Sequence, residues 1–164
     1  MRKTFANLLH QEMEQNDKII VLSGDLGYGM WDAIRRDYPN RFWNIGSSEM
    51  LLIGAAIGLH YEGYIPICYS ITPFLIYRPF ELLRTYVDYE NIPIKLVGSG
   101  VNDDYKHDGI SHWAWDVKQY LNQFSFLDNC FPDTMDEIKS SFKSFLYSKH
   151  PEIMVLRKHP KQRT

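Results

Sequence analysis

Six short, nearly all-apolar runs alternate with stretches of helical periodicity along this chain, and that alternation constrains the fold more than any single motif. Ile19 to Leu22 is the clearest of them. Four apolar residues, three of them β-branched, suit a strand covered on both faces of a parallel sheet. Phe42 to Ile45, Ile65 to Tyr69, Ile94 to Val97, Phe124 to Leu127 and Ile153 to Leu156 complete the set. Between them, Phe5, Leu8, Leu9 and Met13 keep helical spacing after Thr4, a plausible cap, and that helix ends near Asn16-Asp17. Ser48 to Tyr61 reads as a helix closing at Gly63, and Phe80 to Tyr89 as another. Met135, Ile138, Phe142, Phe145 and Leu146 form a last helix, capped by Asp133 or Thr134 after Pro132. Strands and helices in this order imply βαβ crossovers. The predicted fold is α/β, a doubly wound, mainly parallel six-stranded sheet with helices on both faces, where ligands bind beyond the carboxyl ends of the strands.

At 164 residues the chain has room for one domain, taken as residues 1–157, with a polar tail at 158–164 that is expected to fray. Its 45% hydrophobic and 23% charged residues suit a globular core. A net charge of −2 gives no basic field for nucleic acid or anionic lipid, so neither is expected as a partner. The longest apolar stretch, Met50 to Leu59, falls well short of the ~20 residues that cross a bilayer, so no membrane span is expected. The first residues lack the apolar core of a signal peptide, and a cytoplasmic location is the expectation. Cys68 and Cys130 lie far apart without metal-ligand spacing and read as buried thiols.

Four segments that follow strands carry the chemically capable residues: Ser23 to Gly27, Gly46 to Glu49, Thr72 to Arg78, and Asp108 to His112. The first is a glycine turn without the dinucleotide or P-loop spacing, so a simple strand-end turn accounts for it as well as a phosphate loop does. Glu49 falls in the first turn of a helix, where capping and the helix dipole favour a carboxylate. Met50-Leu51-Leu52-Ile53 on one side and Ile45 on the other predict apolar surroundings, in which a carboxyl can share a proton with a ligand nitrogen. Spacing alone leaves both roles open. Phe74 and Tyr77, three apart after Pro73, form one aromatic wall if their turn is helical, or else pack in the core. His112 lies in a loop-like stretch with Asp103, Asp104, His107 and Asp108, a density of titratable groups suited to a polar, substrate-facing loop. His107 and His112 lack zinc-ligand spacing, and no residue is assigned to a metal.

Read in order, these segments resemble the pyrimidine-binding domain of the transketolase family of thiamine-diphosphate enzymes. The resemblance runs through Gly24-Asp25-Leu26-Gly27, then Pro39 to Gly46 and Glu49, then Gly54-Ala55-Ala56-Ile57-Gly58-Leu59 and Gly63. It continues to Arg78, Arg84, Asp108-Gly109 and His112, so it covers nearly the whole chain. Its most specific part is the pattern P-x-R-F-x-N-x-G-x-x-E followed by a small-residue helix.

The resemblance implies roles for named residues. Glu49 matches the glutamate that hydrogen-bonds the aminopyrimidine ring and promotes the tautomer that deprotonates the thiazolium. Phe74 matches the residue stacked on that ring, Tyr77 one that extends the wall, and Asp25 an aspartate near the cofactor between chains. Asp108 and His112 match residues that reach sugar hydroxyls, with His112 also stabilising charge during catalysis. Arg157 matches a substrate-phosphate arginine, with imperfect spacing. Three positions depart from the family pattern: Ile71 stands for an aromatic, Met50-Leu51 for a polar pair and His107 for an acidic residue.

In the family, the diphosphate and Mg²⁺ are held by a GDG and a downstream Asn of a separate domain, as a hard cation requires. Gly24-Asp25-Leu26-Gly27 with Asn44 does not fit that pattern. A partner chain carrying that domain is therefore expected, in a heterotetramer that includes a second copy of this chain. Gly54, Ala55, Ala56 and Gly58 would allow close helix approach at such an interface. The resulting expectation is the small subunit of a split, thiamine-diphosphate-dependent transketolase-like enzyme acting on a sugar. Two alternatives remain: a subunit of a two-chain 2-oxo acid decarboxylase or dehydrogenase, and a non-catalytic interaction domain of the same fold.

Overall fold

Every strand pairing is parallel, as crossovers that each carry a helix require. The structure is a computed structural model and describes residues 1–160. The chain runs from α1 (Arg2–Gln15) to β1 (Ile19–Ser23), α2 (Asp32–Asp37), β2 (Phe42–Asn44), α3 (Glu49–Tyr61) and β3 (Ile65–Ile71). It continues through α4 (Thr72–Tyr77), α5 (Phe80–Leu82), β4 (Lys95–Ser99), α6 (Val117–Leu121), β5 (Asp128–Cys130), α7 (Met135–Tyr147) and β6 (Glu152–Leu156). The six strands lie in the order β2-β1-β3-β4-β6-β5, the doubly wound sheet that the sequence pattern predicts.

β1 shows why its sequence is apolar throughout. Ile20 and Leu22 join Leu52, Ile53 and Ala56 of α3 on one face of the sheet. Ile19 and Val21 face the other way, into Phe5, Leu9 and Met13 of α1 and Phe142 and Phe145 of α7. Two helical layers thus cover a sheet whose strands need both faces apolar. Thr134 caps α7 by accepting from the Glu137 N–H, one of the two caps expected there. Cys68 is fully buried and Cys130 half-buried, both as free thiols.

Several local expectations need correction. α1 begins at Arg2 with Met1 at its cap, so Thr4 lies inside the helix. The Phe80 to Tyr89 pattern gives the single turn α5 followed by a π-helical turn over Leu83–Asp88. The run Phe124 to Leu127 is not a strand. Its backbone N–H groups at Ser125, Phe126 and Leu127 donate to the Asp88 carboxylate, and pairing with β6 begins only at Asp128. Of the expected tail, Lys158 is tied down through its N–H to Asp104, and residues 161–164 lie outside the described residues.

One buried charge gives the fold a pH signature. Lys95, 1% exposed on β4, donates from Nζ to the carbonyls of Ser148 (3.0 Å) and His150 (2.6 Å). Burial lowers its pKa to about 8, against the opposing pull of Glu152 and Asp128. Because the folded value lies below the ordinary 10.5, this group's contribution to stability rises as pH climbs from about 8 towards 10.5. Relative to a Lys95→Met variant, the wild type is expected to gain roughly 1–2 kcal/mol between pH 7 and pH 9.5. Urea denaturation at both pH values measures it, and parallel pH profiles would contradict it.

Candidate functional site

The chain leaves β1 towards β2 on one side of the sheet and leaves β3 towards β4 on the other, so β1 and β3 flank a topological switch point. Their carboxyl ends lie side by side, with Ser23 in register with Tyr69. Gly24 and Asp25 follow β1, Glu49 opens α3 after β2, and Ser70 and α4 follow from β3. The switch point gathers these residues into one crevice.

Glu49 is the centre of the group. Its side chain is 1% exposed, and its two oxygens have different partners. Ser70 Oγ donates to Oε1 at 2.7 Å, and Arg78 Nη1 donates to Oε2 at 2.7 Å. Two polar partners therefore meet the carboxylate, and the flanking sequence does not reveal them. The reason is helical geometry: Met50 and Leu51 are rotated around α3 from Glu49 and stand 46% and 58% exposed. Gly24 closes the near side, because a Cβ there would lie 3.0 Å from Ser70 Oγ and 3.3 Å from Glu49 Oε1. A side chain at that position would need the Ser70 hydroxyl and the Glu49 carboxylate to give by a few tenths of an ångström, which glycine avoids.

Phe74, half-buried on α4, forms the second element. The Arg78 guanidinium lies over its ring at 3.7 Å from the centroid, and His112 meets it edge-on at 4.7 Å. Glu49, Phe74 and His112 are thus brought together, with Arg78 linking Glu49 to Phe74. The sequence pattern alone assigns no role at this site to Ser70 or Arg78. The helical spacing of Phe74 and Arg78, four apart on one face, is the signal that marks Arg78.

The other predicted residues sit around this core. Asp25 is exposed and holds a left-handed backbone at φ 61°, stabilised by Asn44. Its N–H donates to Asn44 Oδ1 (3.1 Å), and Asn44 Nδ2 donates back to Asp25 Oδ1 (2.9 Å). Tyr77 packs its ring against Tyr120 at 5.3 Å, and its hydroxyl donates to Asp116. Burial, followed by Asp116, pushes the Tyr77 phenol well above its usual range. Asp108 is exposed beside His107, 3.4 Å from its Nε2, in the short turns that lead to His112. Arg157, at the end of β6, donates from Nε to Asp133 and lines a separate cavity with Asn102, Lys118 and Phe131. The structure therefore gathers Glu49, Phe74 and His112, sets Asp25 at the rim, and holds Tyr77 and Arg157 in contacts of their own.

Residues 1–162 match the family described as the pyrimidine-binding domain of transketolase. A chain of Methanocaldococcus jannaschii described as a transketolase C-terminal section is 31% identical over 113 residues, which is 68% of this chain and 36% of that one. The 6-deoxy-6-sulfo-D-fructose transketolase subunit SqwH of Clostridium sp. (strain MSTE9) is 24% identical over 98% of this chain and 50% of its own length. This chain thus spans about a third to a half of these relatives. A solved structure described as a split-gene transketolase in an inactive β4 tetramer superposes with a TM-score of 0.85 at 23% identity. It covers 99% of this chain and 52% of that one.

Proposed function

Because this chain belongs to the transketolase family as a pyrimidine-binding domain, we propose that it is the small subunit of a split, cytoplasmic, thiamine-diphosphate-dependent transketolase-like enzyme. The observation that carries this reading is a buried carboxylate, Glu49, beside the half-exposed ring of Phe74 at the switch point. Subunits of sugar transketolases among the relatives support it.

The residues present fit the pyrimidine half of the cofactor. A planar ring with N–H groups on its edge needs an aromatic face and a buried acceptor, and Phe74 and Glu49 supply them. The other half, the diphosphate with its Mg²⁺, falls to a partner chain in this proposal. Among the described residues no three His, Cys, Asp or Glu side chains converge where a cation could be held. The outer side of α3 exposes Met50, Leu51, Gly54, Gly58 and Tyr61, an apolar face for assembly with a partner and a second copy in a heterotetramer.

When bound, the cofactor supplies a nucleophilic carbon and an electron sink for chemistry next to a sugar carbonyl. This chain does the rest of its half. Glu49 holds or yields a proton at its carboxyl, Ser70 fixes the other oxygen, and burial keeps water from competing for it. Phe74 provides the stacking face. His112, packed on Phe74, and Asp108 present hydrogen-bonding groups to sugar hydroxyls, and Asp25 with Asn44 shapes the rim towards the partner.

Purification of the tagged chain from its native cell in mild salt, followed by mass spectrometry, tests the proposal. The expected result is a second chain carrying a GDG and a downstream Asn, together with bound thiamine diphosphate. A chain that returns alone and without cofactor would overturn it in favour of a non-catalytic domain.

A further inference from the structure

Arg78 contacts both elements assigned to the pyrimidine. Its guanidinium is flat, lies on the Phe74 face at 3.7 Å, and donates to Glu49 Oε2 at 2.7 Å. These are the two interactions that an aminopyrimidine ring offers: a planar π surface for the aromatic and an N–H donor for the carboxylate. A ring stacked on that face of Phe74 and bonded to Oε2 would take the place that the guanidinium holds. We infer that Arg78 is a resident mimic of the pyrimidine, a latch that occupies the ring's place in the free chain and swings outward when the cofactor enters. This inference rests on the reading of Glu49 and Phe74 given above.

The geometry favours movement of Arg78 over Glu49. Its side chain is 44% exposed against 1% for Glu49, so solvent already reaches the arginine while the carboxylate is fixed. Arg78 caps α4 with ordinary helical backbone angles, φ −66° and ψ −48°, so a change of side-chain rotamer releases it. Ser70 continues to hold Oε1 throughout, and the N–H donor on Oε2 is exchanged for another. No buried carboxylate oxygen is left without a partner in either state, which keeps the exchange balanced. The latch also lowers the affinity of the free chain, because only the unlatched fraction can bind.

The test uses the full chain and the isolated pyrimidine, 4-amino-5-hydroxymethyl-2-methylpyrimidine, titrated calorimetrically at millimolar concentration. Arg78→Met keeps the stem and removes the flat, charged head. It is expected to bind the pyrimidine about tenfold more tightly than the wild type, the effect of unlatching a site that is nine-tenths closed. Weaker or equal binding by Arg78→Met would overturn the latch and make Arg78 a ligand or a bystander. Addition of Glu49→Ala to Arg78→Met removes the acceptor altogether and is expected to abolish the gain. If pyrimidine binding is indifferent to Glu49→Ala, or absent from both the wild type and Arg78→Met, the reading of the pocket itself fails and the latch fails with it. A measurement on the wild type removes any dependence on how the variants fold. The NMR signal of the Arg78 side-chain N–H, shifted by the Phe74 ring in the free chain, should move to a solvent-exposed position as the pyrimidine saturates. An Arg78 signal unchanged at saturation would refute displacement.

Discussion

Replacement of Glu49 by glutamine is expected to lower the turnover of the assembled enzyme by at least about a hundredfold, the usual range for losing a positioned acid–base group. Glutamine has nearly the same shape and can keep both local contacts, with its oxygen accepting from Arg78 and its NH₂ donating to Ser70 Oγ. What it cannot do is gain or lose a proton. The thermal midpoint should therefore stay close to that of the wild type while steady-state turnover collapses, and measuring both separates chemistry from folding. A Glu49→Gln enzyme that retains a tenth or more of the wild-type rate would remove Glu49 from the mechanism and the activating carboxylate from the proposal.

Glu49 also shows where sequence reading reaches its limit. Its place was legible because a glycine-serine turn, a helix start and the P-x-R-F-x-N-x-G-x-x-E run are all local in the chain. Its environment was not legible. Neighbours in sequence predict an apolar shell, but the side chains that touch the carboxylate come from positions 70 and 78, brought in by β3 and α4. The same division holds elsewhere. Ile19 to Leu22 announces a doubly covered strand because burial on both faces is written into every residue. The contact between Arg157 and Asp133 joins the ends of two elements and leaves no periodic trace. Elements whose causes lie within one turn or one strand can be read from sequence, whereas a site assembled at the switch point depends on contacts the chain makes only once it has folded.

Asp88 is the most consequential of those long-range contacts, and Asp88→Ala is expected to destabilise the chain by about 3–5 kcal/mol, a large share of a typical domain's ~5–15 kcal/mol. Its carboxylate, 8% exposed at the end of the π-helical turn, accepts from the N–H groups of Ser125 (3.1 Å), Phe126 (2.6 Å) and Leu127 (2.9 Å). Three backbone donors converge there, and they lead directly into β5. An alanine would strip the partner from all three, and no strand lies alongside to replace it, since β5 pairs only from Asp128 onward. Apolar periodicity makes Phe124 to Leu127 look like a strand, but the hydrogen bonds a strand would take from a neighbour are supplied here by one side chain. Asn at position 88 keeps a single acceptor oxygen without the charge and should recover part of the loss. Urea unfolding of the three proteins gives the ranking wild type, Asp88→Asn, Asp88→Ala, with a loosened approach to β5 visible as faster amide exchange at residues 125–127. An Asp88→Ala protein within 1 kcal/mol of the wild type would show that the segment is held by the packing of Leu121 and Leu127 beneath it, and not by the carboxylate.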